Sequence, residues 1–216
     1  MNIIEFLVRP YLTYTPMQIG MECIAAIFGV GSVFFAIRKS ICVYPIGIVS
    51  TVLYTYLLYH WQLYGDMAIN AYYTAVSIYG WWMWSSHCTS EEVKSVHHHN
   101  QPQVDRNTIH WHLFLLPVFF LLIFIIYVVK YQSWRAVPLI NYVDSIMTAV
   151  FLVAMYLMAK KRIENWHYWI VGNAMAIPLF IYKGYGITAL QYLIFLLMAF
   201  VGLYEWKKDN NLEKIK

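Results

Sequence analysis

A long apolar run without charge limits what this chain can fold into. Residues 113–129 contain one proline and no charged side chain. Such a run is long enough for an α-helix that crosses the hydrocarbon core of a bilayer, which needs about 20 apolar residues. The whole chain has this character, since 61% of its 216 residues are hydrophobic, 19% are aromatic and 12% are charged. Soluble proteins carry about 25% charged residues, so the composition indicates an integral membrane protein.

Seven segments are long and apolar enough to be membrane-spanning helices. They cover residues 17–37, 43–60, 66–84, 111–129, 139–158, 166–182 and 186–206. A lead-in at 1–16, a polar loop at 85–110 and a tail at 207–216 lie outside them. The sequence therefore predicts an all-α membrane protein with seven transmembrane helices, arranged as a first three-helix bundle over 17–84, a linker helix over 111–129 and a second three-helix bundle over 139–206.

Lysine and arginine residues are distributed unevenly between the two predicted sides of the membrane. Eleven belong to the loops near 38–42, 85–110 and 159–165 and to the C-terminal tail. Four lie on the other side, namely Arg9, Lys130, Arg135 and Lys183. Because basic loops stay in the cytoplasm, this bias predicts an external N-terminus and a cytoplasmic C-terminus. The ends of the predicted spans also carry tryptophans that suit an aromatic belt: Trp61, Trp84, Trp134 and Trp206.

Several classes of protein are disfavoured by the same sequence. No GxxxxGK[ST], HExxH or GxSxG motif occurs, which argues against an ATPase and an intramembrane hydrolase. A net charge of +4 is small for a nucleic-acid-binding protein. Cys23, Cys42 and Cys88 are far apart, so neither a disulfide framework nor a zinc site is expected. No cofactor is expected either. Three adjacent residues, His97-His98-His99, do not converge easily on one metal ion, which favours a solvated loop over a metal site.

The chain matches itself when it is shifted by 122 residues. Without a gap, this shift aligns the first three spans with the last three and pairs Glu22 with Asp144, Arg38 with Lys160, Tyr44 with Trp166, Leu57 with Leu179, Gly80 with Gly202, and Trp84 with Trp206. The shift contains four membrane crossings, so both copies have the same orientation. The sequence therefore predicts a 3+1+3 parallel repeat with the substrate between the halves. Chance similarity between apolar segments is the alternative.

Aromatic and polar residues of the second half form the candidate binding site. Trp166, Trp169 and Asn173 follow one another at spacings of three and four, which places them on one helix face. Two indoles and a carboxamide can stack a flat ring and bind its polar substituents. They can equally be an interfacial tryptophan pair and an interhelical contact. Gln191 and Asn70 are further candidates, because polar side chains within spans are costly and often functional.

The charged residues within the spans are few. Glu22 and Asp144 occupy equivalent positions about one turn into their helices, where the helix dipole favours an acid. This favours a structural role, with proton coupling or attraction of a cationic substrate as the alternative. No lysine or arginine lies well inside a predicted span. A phosphorylated substrate is therefore disfavoured, and a neutral or cationic aromatic substrate is favoured.

Two segments resemble the PnuC family of nicotinamide riboside transporters. Residues 163–169 read IENWHYW and are followed by Asn173, which resembles the family's ENWxxW…N segment. Residues 62–65 and 78–84 read QLYG and IYGWWMW, which resembles its QLY…IYGWxxW segment. The resemblance covers about residues 20–206 and also includes Glu22, Asp144-Ser145 and Val153-Ala154-Met155.

The resemblance implies a SWEET-like fold, a homotrimer and facilitated diffusion of nicotinamide riboside across the bacterial inner membrane. It also implies that phosphorylation inside the cell traps the substrate. It places the binding site on five residues: Trp166, Trp169, Asn173, Gln191 and Asn70. Asn70 stands where riboside transporters have a glutamine, and related members carry thiamine or riboflavin, so thiamine is the alternative substrate. An alternative from another class of protein is a membrane subunit that binds substrate and needs an energising partner. The expected partners of the chain are its substrate and the lipid bilayer.

Overall fold

Seven long α-helices make up the part of the chain that the structure describes. The structure is a computed structural model and describes residues 14–60, 64–86 and 109–213. In chain order the helices are α1 (Pro16–Ile37), α2 (Val43–His60), α3 (Tyr64–Ser86), α4 (Ile109–Tyr131), α5 (Leu139–Ala159), α6 (Asn165–Tyr182) and α7 (Gly186–Glu213). A 3-10 turn at Trp134–Ala136 precedes α5, and no strand occurs in these three ranges. Most of the predicted lead-in, Trp61 and the loop with the three histidines lie outside the described residues.

Each helix lies on one of the seven predicted spans, which confirms the all-helical class. By length and composition alone, α1, α4, α5 and α7 can cross a membrane. The other three carry more tyrosine, tryptophan and amide side chains, and this lowers their hydropathy. Helix α7 continues to Glu213, so most of the predicted tail is helical. The reason is that no proline or glycine follows Trp206 to end the helix.

The ends of α1 show how local sequence sets a helix boundary. Thr15 Oγ1 accepts a hydrogen bond from Gln18 N at 3.3 Å, and Gln18 Oε1 accepts one from Thr15 N at 2.9 Å. This capping box, with Pro16 at the first helical position, satisfies two backbone donors that the helix leaves free. At the other end Lys39 has a φ of 55°, a left-handed conformation that usually belongs to glycine. Lys161, which follows the C-cap of α5, has the same φ.

The helices pack in two groups, α1–α2–α3 and α5–α6–α7. Helix α4 packs on α5, and Tyr72 of α3 meets Phe119 of α4 edge to face at 5.9 Å. Two interfaces join the groups, one between α3 and α5 and the other between α1 and α7. The largest buried cluster draws on both groups, because it contains Tyr44 and Trp84 as well as Trp166 and Trp206.

Two tryptophans hydrogen-bond across the interfaces between the groups. Trp84 Nε1 donates to the Ala159 carbonyl at 3.1 Å. Trp206 Nε1 donates to the carbonyls of Ala36 and Ile37 at 3.1 and 3.2 Å. We call these the indole contacts. Each indole donates to carbonyls in the last turn of α5 or α1, where intrahelical donors run out; the Ala36 carbonyl also accepts from Lys39 N at 3.0 Å.

A lysine lies over each of these indoles. Lys161 Nζ is 4.4 Å from the ring centre of Trp84, and Lys39 Nζ is 5.9 Å from that of Trp206. The two tryptophans are 3% and 1% exposed, so the prediction that they belong to an aromatic belt is wrong. Their N–H groups have carbonyl partners inside the protein instead. Trp134 is 59% exposed, as a belt residue should be.

Candidate functional site

The structure separates the two predicted tryptophans of α6. Trp166 is 1% exposed and meets Trp206 edge to face at 5.6 Å. Its ring lies on Gly202 so closely that a Cβ there would come within 2.5 Å of it. Trp166 thus packs between α6 and α7, and its Nε1 has no hydrogen-bond partner among the described residues. Its role in binding stays a prediction, and these contacts favour a packing role.

Trp169 belongs to a group of rings contributed by four helices. It lies 5.6 Å from Phe151 of α5, centre to centre, with the planes tilted by 37°. Phe151 stacks on Tyr192 of α7 at 5.8 Å, and Tyr192 stacks on Phe180 of α6 at 5.0 Å. Tyr73 of α3 packs against the same core and brings in the first half of the chain. We call these five residues the aromatic cluster.

The Asn173 carboxamide is the polar group next to the aromatic cluster. Trp169, Asn173 and Ala176 share one face of α6, and Trp169 and Ala176 both pack in the cluster's core. Asn173 is only 2% exposed. Within the described ranges, no hydrogen bond links its side chain to another residue. Its oxygen can accept and its nitrogen can donate, so this carboxamide is well suited to bind a polar ligand.

The two further predicted residues, Gln191 and Asn70, lie on α7 and α3. Gln191 on α7 lies close to Tyr54 on α2. It directly precedes Tyr192 of the aromatic cluster. Asn70 Nδ2 donates to the Asp66 carbonyl at 3.0 Å on its own helix. Asn70 is three residues before Tyr73, so both lie on one face of α3.

The two predicted acids lie in different surroundings. Asp144 Oδ2 accepts a hydrogen bond from Tyr127 of α4 at 2.5 Å, and its Oδ1 pairs with Lys183 Nζ at 2.8 Å. The carboxylate side chain is 14% exposed. These partners tie α4, α5 and the α6–α7 connection together, which favours the structural interpretation of Asp144. Glu22 on α1 is close enough to Tyr54 to interact with it electrostatically.

Sequence reasoning found one residue of the aromatic cluster, Trp169, and missed the other four. With aromatics at 19% of the chain, a single tyrosine or phenylalanine does not stand out. One local signal was available: Gly172 directly precedes Asn173 and permits the close approach of a bulky neighbour. Among the described residues, no group of three or more metal-binding side chains is present.

Comparison with known proteins decides the family. The model of the nicotinamide mononucleotide transporter family matches residues 19–208. The chain belongs to this family. The family consists of membrane transporters, not enzymes, so the chain is a membrane transporter, and its relatives carry vitamin precursors.

Three relatives of this chain are named as transporters. The nicotinamide riboside transporter PnuC of Escherichia coli (strain K12) is 24% identical, over 93% of each chain. PnuC of Neisseria mucosa is 28% identical, over 87% of this chain and 72% of its own. The riboflavin/roseoflavin transporter RibM of Streptomyces davaonensis is 23% identical, over 86% of this chain and 83% of its own.

The family fold is also seen in a solved structure. The crystal structure of the vitamin B3 transporter PnuC superposes with a TM-score of 0.67 at 23% identity. The match covers 95% of this chain and 88% of that one. The resemblance to PnuC transporters that the sequence motifs indicated is therefore confirmed, and the helical arrangement described above is the fold of that transporter.

Proposed function

We propose that this protein imports nicotinamide riboside by facilitated diffusion across the inner membrane of a bacterium. The observation that carries the proposal is the buried, unpartnered carboxamide of Asn173 beside the aromatic cluster. The pyridinium ring of the riboside is flat and cationic, so stacking on Trp169 and its neighbours favours its binding. Asn173, Gln191 and Asn70 provide hydrogen bonds for the amide and the ribose.

An unphosphorylated substrate fits these surroundings better than a mononucleotide. The family description mentions the mononucleotide, whereas two of the relatives are riboside transporters. Within the described residues, one cation lies over a ring of the aromatic cluster, namely Lys183 at 5.5 Å from the centre of Phe180. Its charge is already paired with Asp144. A phosphate group would need a free lysine or arginine at this place.

The 3+1+3 parallel, SWEET-like repeat is part of the proposal. The indole contacts support it, because Trp84–Ala159 and Trp206–Ile37 are related by the shift of 122 residues. The lysines over the two indoles obey the same shift. So do two rings that lie on glycines: Tyr44 approaches Gly80 as closely as Trp166 approaches Gly202.

Transport in this proposal is a rocking of the two bundles about the aromatic cluster. With the N-terminus outside and the C-terminus in the cytoplasm, the indole contacts lie at the cytoplasmic end of the helices. These contacts separate when the site opens towards the cytoplasm. Phosphorylation of the substrate in the cytoplasm keeps its free concentration low, so no coupled ion is required. Family resemblance adds a homotrimer, in which each copy contains its own site.

Reconstitution of the purified chain into liposomes tests the function. We expect uptake of labelled nicotinamide riboside down its gradient with no second protein present. Uptake should persist when an ionophore collapses the proton gradient, which would leave Glu22 and Asp144 with structural roles. Liposomes that contain a variant with Trp169→Ala serve as the control for leakage.

The same assay separates the alternatives. Uptake of labelled thiamine in place of the riboside would assign the chain to the thiamine branch of the family. Binding of either compound without uptake would contradict the facilitator and indicate a subunit that needs an energising partner.

A further inference from the structure

One ring of the aromatic cluster lies directly over a glycine. A Cβ at Gly172 would come within 2.4 Å of Phe151 Cε1 and 2.7 Å of its Cδ1. Such distances are too short for any side chain, so the ring of Phe151 and a side chain at position 172 exclude each other. Phe151 is 6% exposed, and Gly172 directly precedes Asn173. The ring is therefore held against the backbone of the residue that precedes Asn173 in α6.

At the corresponding place in the first half, neither aligned residue is aromatic, and the nearest ring is that of Phe195 on α7, 3.9 Å from a Cβ on Gly29. The shift of 122 residues aligns Phe151 with Gly29 and Gly172 with Ser50. A Cβ on Gly29 would lie 3.2 Å from Ser50 Oγ, and Ser50 Oγ donates to the Ala25 carbonyl at 2.7 Å. Two small residues thus pack the first and second helices of that half. The helix pair does not need a phenylalanine here, which points to a role for Phe151 in the site.

We propose that Phe151 limits the width of the aromatic ring system that the site accepts. Its ring lies between Trp169 and Tyr192, at 5.6 and 5.8 Å from their centres. In this position the ring would leave no room for the second and third rings of a fused system stacked on Trp169. The site then accepts a vitamin precursor whose aromatic rings are not fused, and it excludes the three fused rings of a flavin. One relative, in contrast, is a riboflavin transporter. This inference rests on the proposed function, because it assumes that the ligand ring binds at the aromatic cluster.

A volume series at position 151 tests the inference. Calorimetry on the purified full chain would measure binding of nicotinamide riboside, thiamine and riboflavin to the wild type and to Phe151→Leu, Phe151→Val and Phe151→Ala. We call nicotinamide riboside or thiamine, whichever the wild type binds, the single-ring ligand. The ratio of the affinity for riboflavin to the affinity for the single-ring ligand should rise at least about tenfold from the wild type to Phe151→Ala. Phe151→Val should give an intermediate ratio. Leucine, which keeps most of the volume, should still exclude riboflavin.

The lost ring contact predicts a second effect of the same series. The single-ring ligand should bind about 3- to 10-fold more weakly to Phe151→Ala, because one stacking partner is removed. Phe34→Ala is the matched control, since Phe34 lies in the first half and is 42% exposed. It should change neither affinity. If the alanine variant does not fold, the leucine and valine variants still report the trend.

Two results would overturn the inference while the proposed function stands. In the first, the wild type binds the single-ring ligand, but the ratio of the affinities for riboflavin and for the single-ring ligand is the same in the wild type and in all three variants at position 151. The other is a wild type that binds riboflavin as tightly as the single-ring ligand. A wild type that binds none of the three compounds would overturn the proposed function, and this inference with it.

Discussion

The two halves of the protein are alike at one end and differ in the middle. At the common end, a tryptophan of each half donates to the last carbonyls of the other half and lies under a lysine. In the middle, Trp169 and Asn173 of α6 align with Gly47 and Thr51 of α2. The halves therefore share the contacts that hold them together and differ where a ligand ring can bind.

Hydrogen bonding differs between the halves in the same way. Thr51 Oγ1 lies 2.8 Å from Thr74 Oγ1, so these two hydroxyls satisfy each other. Ser32 Oγ in turn donates to the Val43 carbonyl at 3.0 Å. Asn173 has no such partner in the described part of the second half. The polar groups in the middle of the first half thus stabilise the fold, and the proposed site uses the Asn173 carboxamide of the second half for binding.

The largest effect that this comparison predicts is the loss of binding on Trp169→Ala. The affinity for nicotinamide riboside should fall at least about 30-fold, because a large stacking surface at the centre of the site is removed. Trp82→Ala is the matched control in the first half, since its side chain is 66% exposed. Calorimetry should find the control within about twofold of the wild type. Equal losses in both variants would contradict a specific role of the Trp169 ring in binding.

The carboxamide is expected to matter less than the indole. Asn173→Ala should lower the affinity about 3- to 10-fold, as expected for one hydrogen bond to the ligand. At the aligned position, Thr51→Val removes a hydroxyl that is bonded within the protein. It should lower the melting temperature and leave the affinity unchanged. Weaker binding in the valine variant would place Thr51 in the site as well.

The positions of the helices followed from local features of the sequence. Runs of about 20 apolar residues specified the helices, and features such as Thr15-Pro16 specified where they begin. The shift of 122 residues paired Trp84 with Trp206, and both turned out to make the indole contacts. These features were predictable because they depend on neighbours in sequence or on a comparison of the chain with itself.

The site was predicted only in part because its members come from different helices. Spacing along α6 placed Trp169 and Asn173 on one face, as observed. The same spacing suggested that Trp166 belongs with them, but that ring turns towards Gly202 of α7. Phe151 and Tyr192 enter from α5 and α7, and no spacing within one helix predicts contacts of that kind. Which helix faces which is decided by packing of the whole chain.

The indole contacts predict smaller and equal effects in the two halves. Trp84→Phe and Trp206→Phe keep the ring and remove the N–H donor, so each should destabilise the protein by about 0.5–1.5 kcal/mol. Thermal unfolding in detergent measures both. Phe124→Leu, in α4 and outside the proposed repeat, is a control for general loss of aromatic packing. A difference above about 1 kcal/mol between the two tryptophan variants would show that the halves are less alike at this end than their contacts suggest.

The lysines that cover the indoles predict the smallest effect, since two contributions oppose each other. Lys39 and Lys161 have a φ of 55°, so glycine would relieve about 1 kcal/mol of backbone strain at either position. Glycine also removes the cation from above the indole, which costs about 0.5–1 kcal/mol. Lys39→Gly and Lys161→Gly should therefore leave the free energy of unfolding nearly unchanged, whereas alanine, which keeps the strain and loses the cation, should lower it by about 1 kcal/mol. Because Lys161 lies 4.4 Å from its indole and Lys39 5.9 Å, the alanine variant should lose more stability at Lys161. The opposite order would mean that the lysines stabilise their helix ends by contacts other than those with the indoles.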